Sequence, residues 1–316
     1  MKIILVINKT LGRGTTTCMD AGYYNFYIPL LELGHDVLLY DTVWGADKSF
    51  TELVDDFKPD LLFCCVTGDS MITPREPLEE IAQITKSNKI KTFNWFCDDT
   101  WRFDNFSKHT CKNFTYCSTP EEKFIEKYKE AGYSNILEGN WHCNPDLAPP
   151  SAAQTPQDQW AAGVIGKCLD MSFVGGITRA RKQTLTRLEQ LGIAMKVLSG
   201  ISYEDIFKVY SASKIGLNLT TNDNDPERKA QMKLRIFEVI AARTFLLTEE
   251  VDGLDKCFEI GKEVETFKTL DEAEEKIKYY LKNESAREKI AAAGYKRFLT
   301  DHSSRVRLAK LLKQIK

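Results

Sequence analysis

The strongest constraint on this 316-residue chain is a rhythm that runs twice: short apolar runs alternate with amphipathic helical stretches, pause, and begin again. The first round carries strands at Ile3–Ile7, His35–Tyr40, Asp60–Val66, Ile90–Cys97, Phe114–Cys117 and Asn135–Gly139. Between them the spacing predicts helices ending at Leu33, then Phe50–Phe57, Pro77–Ser87 and Pro120–Ala131, with Gly34 and Gly132 as helix stops. The Ile, Val, Leu and Phe content of the strands suits a parallel sheet covered on both faces. Residues 144–163, with Pro145, Pro149, Pro150 and Pro156, interrupt the rhythm and read as a linker.

The second round predicts strands at Asp170–Val174, Met195–Leu198, Lys214–Leu219, Thr244–Thr248 and near Glu263–Phe267. Its helices are Arg179–Leu191, Tyr203–Ala212, Arg228–Ala242, Leu270–Leu281, Glu284–Thr300 and Ser303–Ile315. Two βα rounds imply two Rossmann-like domains, 1–150 and 164–302, with a cleft between them. In open parallel sheets ligands bind outside the carboxyl ends of the strands, so both sets of strand ends are expected to face the cleft.

Charge separates the halves. Residues 1–150 hold 15 Lys and Arg against 22 Asp and Glu, net −7, whereas residues 151–316 hold 28 against 23, net +5. An anionic ligand therefore belongs with the second half. The overall charge of −2 argues against a nucleic-acid coat protein. Nine irregularly spaced cysteines include no CxxC pair, which points to reduced thiols rather than a disulfide framework, and no metal site is expected. His109, Cys111, Cys117, His142 and Cys143 lack the paired spacing of zinc ligands. The amino terminus lacks a signal-peptide pattern and no apolar run reaches membrane-spanning length, so a cytoplasmic location is expected.

Three segments carry candidate chemistry. In Phe173-Val-Gly-Gly-Ile-Thr-Arg-Ala-Arg-Lys182 a strand ends in Gly175 and Gly176, and a helix opens with Arg179, Arg181 and Lys182. Free N–H groups and cations there suit a phosphate, although a tight turn with solvated charges has the same pattern. In Gln231-Met-Lys-Leu-Arg-Ile-Phe-Glu238, helical spacing places Gln231, Arg235, Glu238 and Ala242 on one face. Arg235 and Glu238 suit either a surface ion pair or a nucleotide divided between cation and carboxylate. Third, Asn94-Trp-Phe-Cys-Asp-Asp-Thr-Trp-Arg-Phe103 delivers Asp98 and Asp99 at a strand's carboxyl end, flanked by aromatics. Either could take a proton from a substrate hydroxyl, or cap the following turn.

The stretches Ser213-Lys-Ile-Gly-Leu-Asn-Leu219, Lys233-Leu-Arg-Ile-Phe-Glu238 and Phe245-Leu-Leu-Thr-Glu-Glu250, with Gly253-Leu254, resemble the CgeB-like (spore-maturation type) glycosyltransferases. So do Phe258-Glu-Ile-Gly-Lys-Glu263, the helical stretch to His302, Ser118-Thr-Pro-Glu-Glu122 with Tyr128, and Ser172-Phe-Val-Gly-Gly176 with Arg181. The likeness is dense from Met171 onward and thin before Ser118. It implies a GT-B fold, two Rossmann-like domains facing each other across a cleft, with helix 303–316 returning to the amino-terminal acceptor domain. It also implies a sugar-nucleotide-binding carboxyl-terminal domain and a nucleoside-diphosphate sugar, expected to be a UDP-sugar, as donor without any further cofactor.

Carried over residue by residue, the resemblance gives Glu238 the ribose hydroxyls and Lys233, Arg235 and Arg181 the diphosphate. Gly175 and Gly176 admit the backbone to the sugar phosphate, and Ser199-Gly200 line the base pocket. Retaining GT-B enzymes often carry a second glutamate eight positions before the ribose one, where this chain has Ala230. Candidate bases are Asp98, Asp99 and His142, which follows the last strand of the first round. The Gly12-Arg13-Gly14-Thr15 turn after the first strand would touch sugar or acceptor in that setting. The acceptor is expected to be a glycan, protein or small molecule. The competing classes are a binding protein without catalysis and an enzyme glycosylating nucleic-acid bases, the latter requiring a basic channel on the acidic first half.

Overall fold

A computed structural model describes residues 1–10, 18–148, 166–192, 195–221 and 230–315. The Gly12–Thr15 turn, most of the linker, and Asp223, Asp225 and Glu227 lie outside the described residues. The chain forms two compact units, Met1–Asn140 with Ser304–Lys316, and Trp141–Ser303. Each contains an all-parallel sheet.

In the first unit β1 (Lys2–Ile7), β2 (Asp36–Asp41), β3 (Leu61–Cys64), β4 (Lys91–Trp95), β5 (Tyr116–Thr119) and β6 (Ile136–Glu138) lie in the order β2-β1-β3-β4-β5-β6. The order reverses between β1 and β3, which makes that gap the sheet's topological switch point. The near-continuous burial of β1, β3 and β4 follows from helices on both faces. One face packs Ile4, Val6, Leu62, Cys64, Phe103 and Tyr128 into a common core. The helix Ser304–Leu312 also belongs here: it packs on helix Ile28–Glu32, with Arg305 Nη1 3.2 Å from Glu32 Oε2.

In the second unit β7 (Leu169–Val174), β8 (Met195–Leu198), β9 (Ser213–Asn218), β10 (Phe245–Glu249) and β11 (Glu265–Phe267) take the order β11-β10-β9-β7-β8. Its switch point falls between β7 and β9. Met171, Phe173, Leu217, Phe245, Leu247 and Ile277 centre its core.

Three sequence expectations need correction. No element is expected between Cys97 and Phe114, yet helical turns run from Asp99 to Asn113. Their buried positions, Asp99, Phe103, Ser107, Thr110 and Cys111, have helical spacing, but three of them are polar and hide the apolar stripe. The helix expected from Arg228 instead spans Leu234–Ala241, after an extended Lys233. Ala230 bridges Thr221 and the Gln231 N–H reaches the Thr220 carbonyl, so the chain stays extended against the end of β9 and Gln231 is off the helix. Finally Trp141–Ala148, read from sequence with the first domain and the linker, belongs to the second unit, where Cys143 bridges Ser303.

Gly294, inside helix Glu284–Asp301, tests the packing. A Gly to Ala change within a helix ordinarily stabilises by roughly 0.5–1 kcal/mol. Here an added Cβ would lie 2.2 Å from the Glu263 carbonyl oxygen. Gly294→Ala is expected to reverse the usual sign and cost about 1–3 kcal/mol, seen as a lower urea midpoint at unchanged slope.

Candidate active site

The switch point of the second sheet is built around Arg235. Its Nε–H donates to the Val174 carbonyl at the end of β7, and its Nη1 donates to Asn218 Oδ1, at 3.0 Å, at the end of β9. The guanidinium carbon lies 4.5 Å from the Phe173 ring centre. Thus one side chain clasps both strands that flank the crevice. Its hydrogen-bond partners among these are neutral, so they orient the cation without cancelling its charge.

Gly175 is the steric counterpart of this clasp. Its φ is +149°, and an added Cβ would stand 1.9 Å from Arg235 Nη2. Gly176 has open space around its Cα, so the requirement for glycine falls on the first of the pair. Beyond them, Thr178 caps helix Arg179–Glu189 by accepting from the Arg181 N–H. The buried Arg181 side chain turns back, donating from Nη1 to the Gly176 carbonyl at 3.0 Å. Arg181 and Arg235 therefore bracket the Gly175-Gly176 turn. Arg179 and Lys182 are exposed.

Next to this turn, the Gly175 N–H donates to the Leu198 carbonyl, which brings exposed Ser199 and Gly200 alongside at the end of β8. Gly200 has φ +69°, a left-handed conformation that favours glycine. Lys233, which precedes the helix, donates to Gln231 Oε1. Glu238 is buried, at 7 % exposure, one turn beyond Arg235. Its negative charge helps raise the Cys143 thiol and the Tyr210 phenol above their ordinary values, after the larger effect of burial. Tyr210 reaches the same edge, accepting from the Val174 N–H at 3.2 Å.

In the first unit the two adjacent aspartates have different surroundings. Asp99 is fully buried and accepts from the Tyr128 hydroxyl at 2.9 and 3.0 Å. Burial raises its carboxyl above the ordinary range, while hydrogen bonds from Thr119, Ser107 and Tyr128 oppose the rise. It ties the turn after β4 to β5 and the helix Lys123–Glu130. Asp98 is the accessible one. Arg102 Nε lies 3.9 Å from its Oδ2, and the Cys97 thiol donates to the same oxygen at 3.5 Å. Arg102 is in turn fixed by the Thr67 carbonyl at 2.7 Å and by Asp69 at 3.5 Å. His142, 4 % exposed, is buried and belongs to the second unit.

The sequence reading missed Asn218 and Tyr210, which hold the strand ends around the arginine clasp. A polar Asn closing the apolar run Ile215-Gly-Leu-Asn218 was the available signal. Among the described residues no group of three His, Cys, Asp or Glu side chains is gathered as a metal-ion site.

Comparison with known proteins bears on the fold. Residues 174–313 match a family described as glycosyl transferase-like. No curated protein matches the sequence. Among solved structures, Anabaena HepE in complex with UDP and glucose is 12% identical over 99% of each chain, with a TM-score of 0.58. Sucrose-phosphate synthase from Thermosynechococcus elongatus is 10% identical over 99% of each chain, with a TM-score of 0.65. An alpha-glucosyltransferase in complex with UDP-glucose and DNA containing an abasic site is 11% identical, covering 100% of this chain and 99% of its own, with a TM-score of 0.65. The chain therefore has the two-domain Rossmann-like α/β fold of the GT-B glycosyltransferases.

Two substitutions probe the site's scaffolding. Gly175→Ala is expected to expel Arg235 from its clasp and to cost about 1–3 kcal/mol of stability in denaturant titration. Asp99→Ala leaves the Tyr128 hydroxyl buried without its acceptor, and is expected to cost about 1–3 kcal/mol of stability in denaturant titration.

Proposed function

We propose that the protein is a glycosyltransferase of CgeB-like type that moves a sugar from a nucleoside-diphosphate sugar, in particular a UDP-sugar, to a hydroxyl acceptor without a metal ion. The observation that carries this reading is Arg235, oriented by two strand ends at the switch point of the second sheet, where its guanidinium leaves room only for glycine at position 175. The family match over residues 174–313 covers the same segment, and the solved neighbours named above include proteins in complex with UDP and with UDP-glucose.

In this reading Arg235, Arg181 and Lys233 meet the diphosphate. Fixed cations favour the charge that develops on the leaving nucleoside diphosphate as the sugar–oxygen bond breaks, and they need no reorganisation at that moment. Gly175 and Gly176 let the backbone approach the phosphates. Buried Glu238 takes the ribose hydroxyls, and Ser199-Gly200 border the base. The acceptor belongs to the first unit, where Asp98 is the accessible carboxylate of the pair. The net charge of −7 over residues 1–150 disfavours a polyanionic acceptor and favours a neutral or cationic glycan, protein or small molecule.

Binding is the first test. A panel of sugar nucleotides should include at least one that raises the melting temperature, because a ligand of the native state stabilises it. Glu238→Ala is expected to weaken that nucleotide by about 1–3 kcal/mol with the fold intact. Unchanged affinity for every nucleoside diphosphate would remove Glu238 from the site. Turnover should persist in excess EDTA; a loss restored by magnesium or manganese would overturn the cationic clamp.

A further inference from the structure

The arginine clasp of the second unit continues away from the crevice, into a strand that does not border it. Asn218 closes β9, and directly opposite it, on the side away from β7, stands Thr248 of β10. Both side chains are fully buried. The Asn218 amide has a partner at each end: Oδ1 accepts from Arg235 Nη1 at 3.0 Å, and Nδ2 donates to Thr248 Oγ1 at 2.8 Å. Chemistry fixes the direction of both bonds. A guanidinium can only donate, so the amide must turn its oxygen toward Arg235. The Thr248 hydroxyl gives its single hydrogen to the Glu249 carbonyl at 2.9 Å, so toward Asn218 it can only accept. One orientation of the amide meets both demands.

We propose that Thr248 is a positioning residue of the nucleotide site, setting the Arg235 guanidinium through the Asn218 amide without touching the ligand. This rests on the glycosyltransferase reading above, in which Arg235 meets the diphosphate. A buried amide does not leave its N–H groups unpaired without cost, so the rotamer that holds Arg235 is favoured only while Thr248 accepts. Without that acceptor the amide turns toward another partner, and Nη1 loses its anchor. The guanidinium is rigid and planar, so a swing at Nη1 carries Nη2 with it. Nη2 is the nitrogen that lies against Gly175, beside the Gly175-Gly176 turn.

The pairing of the strands does not depend on this hydroxyl. β10 is joined to β9 from Phe245 to Thr248 and to β11 from Leu247 to Glu249. Glu249 Oε2 separately accepts from the Thr220 hydroxyl at 2.9 Å and the Thr221 N–H at 3.3 Å, which ties the end of β10 to the chain leaving β9. Valine matches threonine in shape and in strand preference, so Thr248→Val removes the acceptor and leaves the strand its packing. Arg235 also keeps the Val174 carbonyl and the Phe173 ring, so the variant should weaken the site rather than abolish it.

The test is a double-mutant cycle in the full chain, with Thr248→Val, Asn218→Ala and the two combined, and Thr248→Ser as the conservative control. Calorimetry reads the affinity for UDP, or for the nucleoside diphosphate of the panel that the parent binds. T248V should weaken binding about tenfold, the worth of one charge-assisted hydrogen bond no longer held in place. T248S keeps the accepting oxygen and should bind within about twofold of the parent. In the N218A background the hydroxyl has nothing left to act through, so adding T248V should change affinity by less than about twofold. Thr248→Ala gives the same comparison should valine fail to fold. A role in packing alone would weaken binding equally in both backgrounds, and T248V binding like the parent would leave Arg235 set without Thr248. Either result overturns the proposal while the transferase reading stands. A parent that binds no nucleoside diphosphate would overturn both.

Discussion

The geometry of the second unit's switch point depends on one arginine being held where two strands part. Arg235 lies on a helix, and a long side chain on a helix is normally free to sample solvent at considerable entropy. Here the Val174 carbonyl, Asn218 and the Phe173 ring fix it at three points. The guanidinium fork suits this role because its several donors lie in one plane, so two can serve the scaffold while others remain for a ligand. The requirement for glycine at position 175 and the shape of the Gly175-Gly176 turn follow from that placement. With a Cβ at 175, the clasp and the turn could not occupy the same space.

The first unit solves a similar problem with buried polar groups. Asp99 accepts from Tyr128, and the side-chain amide oxygen of Asn94 accepts from the Val66 N–H at 2.9 Å. Each ties the end of β4 to a neighbouring element. A carboxylate such as Asp99 is expensive to bury unless satisfied, and once satisfied it specifies a single arrangement. Asp98 and Arg102 thus leave the sheet from a fixed base rather than from a loop free to move, and Glu76 braces the adjoining turn by accepting from the Thr67 and Gly68 N–H groups at 2.7 and 2.9 Å.

The fold was largely legible because parallel strands buried on both faces leave unbroken apolar runs, and helix stops such as Gly34 and Gly132, each with positive φ, leave glycines. The helical stretch after Asp99 was not legible, because Ser107 and Thr110 occupy buried positions that an apolar pattern cannot register. The late start of the Arg235 helix was also hidden. It is set by pairing between Ala230 and Thr221, a contact across residues with no local signature. Of the residues at the second switch point, the glycine pair stood out by its strand–turn–helix pattern and Arg235 by the family resemblance. The partners that orient them did not, since the role of Asn218 exists only once β9 lies beside β7. Adjacent Asp98 and Asp99 look equivalent in sequence; burial alone divides them.

The same topological device appears twice in this chain and carries opposite charge. Each sheet reverses strand order once, between β1 and β3 and between β7 and β9, and at each reversal the flanking loops diverge and leave a crevice. In the second unit the crevice holds a guanidinium; in the first it holds the carboxylate of Asp20. The net charges of the two halves, −7 and +5, have the same signs as these residues, so each crevice sits in a background that reinforces it.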